Sequence, residues 1–288
     1  MSTGNRAAIL AYSGPVPDKP ANSGRARWAT ALTCIEPNRI LVRGFRLDDV
    51  MGRVTFGETV YLLLTGELPS PSIGRLVEAM LVSFIDHGAT PPSTLAARNV
   101  ATTGASLRSA VAAGVLGFGR HYGGDAQACR QLLDEGLTVV RGGRTVADGA
   151  ATLADRLAAS GEIPPPGFGH RFHTKDPRAT RLLQMAHELE VDQDYTQLIR
   201  ALEHALSRHP SLVETSLPIN IDGAIAAVCG DIGLPPETAD ALLMISRVPG
   251  LAAHALEEMG REKPMRTIDP KAHSYDGPGE RGLPDRRK

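Results

Sequence analysis

The chain has 288 residues, 42% of them hydrophobic and 22% charged, with a formal net charge of −1. That is apolar material for a sizeable core in one large domain or two smaller ones, without the Lys/Arg surplus of a nucleic-acid-binding surface. Cys34, Cys129 and Cys229 are scattered, with no CxxC pair, which argues against a disulfide framework and a structural zinc site. They read instead as small buried residues in a reducing cytoplasm. No apolar run has the length of a membrane span, and the N-terminus lacks a signal-peptide core, so the expectation is a cytoplasmic protein without a membrane partner.

In chain order, residues 1–27 mix proline and polar residues without periodicity and read as loose. Thr55-Phe-Gly-Glu58 has capping-box spacing ahead of VYLLLTGELP, a helix ended by Gly66 and Pro69. In SPSIGRLVEAMLVSFIDHG the apolar residues Ile73, Leu76, Val77, Met80, Leu81, Phe84 and Ile85 recur at three and four, which predicts a helix from a Ser72 cap to a Gly88 stop. SLRSAVAAGVLGFG, DAQACRQLLDEGL from Asp125, and TVADGAATLADRLAASG up to Gly161 follow the same pattern. DPRATRLLQMAHELE opens on Asp176 as cap with Pro177 in the first helical position. DYTQLIRALEHALSRHP presents one apolar face, and PPETADALLMISRVPGLAAHALEEMG reads as two helices broken near Pro249-Gly250. No convincing alternating strand run appears, and no strand precedes a glycine-rich loop, so the expected class is all-α. The tail past Tyr275 reads as disordered.

Four stretches carry chemistry. GFGHRFHTKDPR (167–178) gathers two glycines, His170 and the cations Arg171, Lys175 and Arg178 at a helix N-terminus, a setting for an anion with His170 as acid or base. The alternative is a basic surface loop. PINIDG (218–223) places Asp222 at the mouth of an apolar helix, either as a helix cap or as a general base with a raised pKa. His87 in IDHGATPPST reads as a helix C-terminal cation or as a donor to a substrate oxygen. GRHYGGDAQ offers Gly123-Gly124 for close ligand approach. His170 and His173 lack a third ligand at metal spacing, so no metal is expected.

Taken in order, these motifs resemble the citrate synthase superfamily over about residues 38–278. NRILVRGFRLDDVMGRVTFGETVYLLLTGELPS is similar to its N-terminal segment, GFGHRFHTKDPR to its G-[YF]-G-H…D-P-R signature, PINIDG to N-[VI]-D, and ISRVPGLAAHALEE to its late S-R-x-x-G-x-x-A-H helix. The resemblance implies an all-α fold with an inserted small domain: residues 1–125 and 223–288 form the large domain and 126–222 the small one. It also implies a cleft active site and a homodimer or dimer of dimers. Asp222 matches the catalytic aspartate, His170 the histidine beside the oxaloacetate carbonyl, and His87 an earlier substrate-binding histidine. Arg178 and Arg247 match arginines that hold carboxylates. Phe168, Gly169 and Asn220 match positions near coenzyme A, with Pro164 and Pro165 where a CoA-contacting backbone runs. Arg171 and Lys175 are our own candidates for its phosphates.

Two departures stand out. Tyr122 precedes the Gly-Gly pair where synthases carry a histidine; His121 lies one place early, about 100° round a helix. The Tyr122 hydroxyl is a candidate donor to an enolate oxygen. The family's R-P-R appears as Asp269-Pro270-Lys271, which leaves Arg266 as a candidate substitute. DHGATPPST, YGGDAQ and NIDGAI are closer to citryl-CoA lyases, including the lyase module of ATP citrate lyase. The expectation is therefore cleavage of citryl-CoA to acetyl-CoA and oxaloacetate. The CoA thioester is substrate, and no cofactor is held covalently. A citrate or 2-methylcitrate synthase and a non-catalytic CoA-thioester-binding paralogue are the alternatives.

Overall fold

The computed structural model describes residues 29–119, 122–123, 125–266 and 269–282. The N-terminal stretch expected to be loose, His121 and Gly124 fall outside these, as does the tail beyond residue 282. Helices dominate, as the periodicity predicts, but the described residues open on a small antiparallel sheet that the sequence reading missed. Strands β1 (Thr33–Glu36), β2 (Arg39–Val42) and β3 (Phe45–Arg46) pair in that order. Two-residue turns set the register. Pro37-Asn38 turns with Asn38 at φ 59°, and Arg43-Gly44 turns with both residues at positive φ. The Arg43 guanidinium donates to Leu63 O and ties the sheet to the helix that follows.

The helices are α1 (Leu47–Val50), α2 (Phe56–Thr65), α3 (Pro71–Ser83), α4 (Pro92–Ala101), α5 (Leu107–Leu116), α6 (Asp125–Arg141), α7 (Val146–Ser160), α8 (Pro177–Glu188), α9 (Asp194–Arg208), α10 (Ile221–Asp231) and α11 (Pro236–Arg261). Local chemistry sets their ends. The Thr55–Glu58 box caps α2 reciprocally, and Gly66 ends it in the left-handed region. Thr145 and Asp148 form a second box at α7, which stops at Gly161. Asp176 caps α8 with Pro177 next to it.

Three helix expectations need correction. The cap of α3 is Ser70, with Pro71 in the first turn, so Ser72 already lies inside the helix. The same helix ends at Ser83, so His87 sits in a loop beyond it and gains nothing from the helix dipole. The expected break at Pro249 is absent: α11 runs through it as one helix. A mid-helix proline costs about 3 kcal/mol; anchors on both sides of Pro249, described below, offset that cost.

α6 packs on α7 and α10, α7 on α9, and α10 on α8 and α9, while α11 crosses α3, α4, α5 and α6. The shared core includes Leu76, Met80, Leu133, Leu137, Leu198, Leu202 and Ile225, each contributing about 2 kcal/mol by burial. Cys129 and Cys229 are buried as expected, whereas Cys34 is exposed on β1, where no described residues form a layer over the small sheet. Residue 125/126 falls at the start of α6, and 222/223 falls inside the first turn of α10.

Candidate active site

Two backbone segments meet to hold the GFGH loop. Phe168 and Ile219 form an isolated β-bridge, Gly169 N donates to Pro218 O (2.8 Å), and Asn220 N donates to Gly167 O (3.0 Å). Asn220 then works three ways: its amide also donates to Gly169 O, and its Oδ1 accepts from Gly223 N as the cap of α10. The cap is therefore Asn220 and not Asp222, which is left free in the first turn. Gly167 and Gly223 must be glycine here. A Cβ on Gly223 would strike Gly167 O, and one on Gly167 (φ +83°) would strike Cys129 Sγ. Phe168 is buried, Pro165 O accepts from Phe168 N, and Pro164 lies against Gly169.

Asp176 is the hub beneath this loop, a role beyond the helix cap read from its sequence position. It is 1% exposed. Its carboxylate accepts from Arg178 N (3.0 Å), Arg178 Nε (3.1 Å), Arg178 Nη2 (2.9 Å) and Ile221 N (3.1 Å). One side chain thus joins the starts of α8 and α10 and orients the Arg178 guanidinium. Burial alone would raise its pKa, but the Arg178 bonds and charge and the Ile221 N–H hold it below the ordinary carboxylate value.

His170 is oriented by its own loop. Its Nδ1 accepts from Phe172 N and His173 N (both 3.1 Å), and its ring stacks on His173. The hydrogen of the neutral ring therefore sits on Nε2. Burial first, then the charges of His173, Arg178 and Arg171, lower its pKa, with Asp176 opposing, so the ring is a neutral Nε2–H donor.

His87 is held from the other side by the late helix. Ser246 Oγ donates to Leu81 O, Arg247 Nε donates to Phe84 O (2.8 Å), and His254 Nε2 contacts Asp86 Oδ1 (3.1 Å). Gly250 lets α11 press on the same loop, since a Cβ there would strike Ile85 O. Ser246, Arg247, Gly250 and His254 lie along one helical face, so the S-R-x-x-G-x-x-A-H pattern is a grip on the His87 loop. These contacts also anchor α11 on both sides of Pro249. Burial, then the charges of Arg247, Arg178 and His170, push the His87 imidazole down to about 4. It is uncharged at neutral pH.

His87 lies within electrostatic reach of Arg247, Arg178 and His170, and Asp222 within reach of Arg178, so these side chains face one region. Burial and the neighbouring carboxylates Asp125, Asp176 and Asp240 raise Asp222 to about 7, against the pull of Arg178. That region combines two neutral imidazoles, a carboxyl that holds a proton near neutrality and two arginines. This set can move protons at a hydroxyl and at a carbon while holding an anionic substrate.

The family profile of the citrate synthase C-terminal domain matches residues 69–270. The chain belongs to the citrate synthase family. Among solved structures, citryl-CoA lyase from Hydrogenobacter thermophilus is 38% identical with a TM-score of 0.80, over 89% of this chain and 97% of that one. Citrate synthase from Pyrobaculum aerophilum is 26% identical with a TM-score of 0.62, over 79% of this chain and 54% of that one. A citrate/2-methylcitrate synthase of Bacillus subtilis is 29% identical over 78% of this chain and 57% of its own length. The chain thus spans little more than half the length of that synthase.

The remaining candidates are more dispersed. Arg171 and Lys175 are exposed and make no ion pair among the described residues. Arg266 lies elsewhere: its guanidinium pairs with buried Glu258 and with Glu262, and its N–H donates to Thr102 Oγ1. Within this chain Arg266 straps the end of α11 to α4; sequence position alone did not reveal Glu258 as its partner. Tyr122 does reach the cleft, but through Arg247. Its hydroxyl accepts from Arg247 Nη1 (3.1 Å) and lies 2.9 Å from Ser93 Oγ, with its ring stacked on Phe118.

Proposed function

We propose that this protein is a citryl-CoA lyase that cleaves citryl-CoA into acetyl-CoA and oxaloacetate. The observation carrying the direction is the likeness to a citryl-CoA lyase over 97% of that chain, against about half of the synthases. The cleft geometry supports the chemistry. Arg178 and Arg247 hold the carboxylates of the citryl group. Once those anions sit between the arginines, the charges that depress His87 are offset, and its basicity rises. His87 then takes the hydroxyl proton while His170 Nε2–H steadies the same oxygen.

The oxygen's electron pair forms the ketone of oxaloacetate and the central C–C bond breaks. Its electrons pass to the acetyl-CoA enolate, and protonated Asp222 gives its proton to the enolate carbon. His87 is left protonated and Asp222 ionised; exchange with water resets both. Phe168, Gly169, Asn220 and the Pro164-Pro165 backbone flank the thioester arm, with Arg171 and Lys175 toward its phosphates. The small domain, residues 126–222, forms one wall of the cleft. CoA enters as substrate, and the step calls for no covalently held cofactor.

Purified protein with citryl-CoA is expected to release oxaloacetate, read by coupled reduction to malate. Because cleavage needs protonated Asp222, kcat/KM is expected to fall above pH 7, about tenfold per unit once the group is ionised. A rate that rises through this range would contradict the acid role.

We also infer a homodimer. α4, α5 and α11 bury a small cluster of Ala101, Ala110 and Ala255 and present Leu95, Leu116 (84% exposed), Val248 and Leu256 outward. Light scattering is expected to give twice the 30.6 kDa chain mass; a monomer at micromolar concentration would rule this out.

A further inference from the structure

The Ser93–Tyr122–Arg247 chain connects a residue with no sequence signature to the carboxylate clamp. Ser93 is 0% exposed and sits in the first turn of α4, under α5, where Gly114 and Gly117 leave room for its backbone and no more. Its Oγ lies 2.9 Å from the Tyr122 hydroxyl. Tyr122 is fixed in turn by a two-way backbone pairing with Gly119 and by the Phe118 ring. Arg247 is 2% exposed, with Nε on Phe84 O and Nη1 on the Tyr122 hydroxyl. A long cationic side chain buried this deeply stays in one rotamer only if its donors are held, and a guanidinium binds a carboxylate well only when its fork is aligned beforehand.

We propose that Ser93 is a positioning residue, acting through the Tyr122 hydroxyl to fix the Arg247 guanidinium for a substrate carboxylate, and that Tyr122 serves this clamp instead of a thioester oxygen. The hydroxyl accepts from Arg247 Nη1 and lies within hydrogen-bond distance of Ser93 Oγ; in the proposed arrangement it donates to Ser93 and keeps no proton for a thioester oxygen. The guanidinium keeps its other N–H groups for the ligand. This rests on the lyase reading for the identity of the substrate, but not for the class of ligand, which is a small di- or tricarboxylate.

Ser93→Ala and Tyr122→Phe separate the possibilities, since both remove a hydroxyl and add no bulk. A clamp that binds ground and transition states alike predicts that each raises the KM for citryl-CoA by about tenfold while kcat stays within about twofold. The affinity for oxaloacetate, measured by calorimetry, is expected to weaken by a similar factor, with CoA affinity unchanged. A fall in kcat at constant KM for Tyr122→Phe would overturn the proposal and return the hydroxyl to the thioester oxygen. Unchanged KM and oxaloacetate affinity in Ser93→Ala would overturn it as well. Melting temperatures exclude simple misfolding. If the wild type binds oxaloacetate without turning over citryl-CoA, the lyase reading fails and the binding comparison still tests the clamp. If the wild type binds neither, both fail.

Discussion

Replacing Asp222 by Asn is expected to abolish turnover and, at neutral to alkaline pH, to stabilise the fold. The amide cannot give up the proton that cleavage needs, so kcat should fall by about three orders of magnitude, within the range for loss of a general acid. The stability gain follows from the same environment. Burial, helped by Asp125, Asp176 and Asp240, lifts the carboxyl from 3.8 to about 7. Below about pH 4 the group is protonated in folded and unfolded chains, and the substitution changes little. Between pH 4 and 7 the unfolded chain ionises first, so the wild type loses stability as pH rises. Above 7 the loss is complete, at most about 4 kcal/mol from roughly three units at about 1.4 kcal/mol each. The opening of Asp222 onto the cleft keeps the gain below that ceiling. The variant's melting temperature should match the wild type in acid and exceed it most at pH 8. Equal melting temperatures at pH 8 would contradict a buried carboxyl at this position.

Asp176→Ala is expected to have the largest destabilising effect in the cleft. The change removes the cap of α8, the acceptor for Ile221 N at the start of α10 and both side-chain bonds of Arg178. Cap loss costs about 1 kcal/mol, and stripping a partly buried guanidinium of its partner adds about 3 kcal/mol. Urea unfolding at pH 7 should show a loss on the order of 4 kcal/mol, and the KM for citryl-CoA should rise because Arg178 is released. The lowered pKa of Asp176 gives its contribution a sign. It is present above the ordinary carboxylate range and lost as pH falls through the depressed folded value. The gap between variant and wild type should therefore narrow in acid. An Asp176→Ala protein as stable as wild type at pH 7 would remove the hub from the account.

Local signals were legible in the sequence where a few adjacent residues decide the outcome. The Thr55–Glu58 box, the Asp176-Pro177 start and the Gly66 and Gly161 stops all lie within one turn of the helix end they set. The sheet escaped because its strands are two to four residues long and largely exposed, so no alternation marks a buried face. The unbroken α11 escaped for the opposite reason: its integrity comes from Phe84 O, Asp86 and Leu81 O, residues far off in the chain. In the cleft, the residue types were readable from the motifs, and their orientation was not. Nothing in GFGHRFHTKDPR states that the neighbouring N–H groups force the His170 hydrogen onto Nε2. Asn220, not Asp222, caps α10, since the helix starts at Ile221 and the Asn220 Oδ1 takes Gly223 N, while its amide also meets Gly169 O across the loop. Ser93 carries no motif, and only its distance to Tyr122 identifies it.

The most direct test of the central claim is the fate of citryl-CoA. Cleavage and condensation share their chemistry, so the lyase and synthase readings part at the thioester bond. Citryl-CoA incubated with the purified protein, quenched and resolved by mass, should give acetyl-CoA and oxaloacetate in equal amounts, with no free CoA and no product in Asp222→Asn. Free CoA with citrate would assign thioester hydrolysis and a synthase, and intact citryl-CoA would contradict catalysis at this cleft.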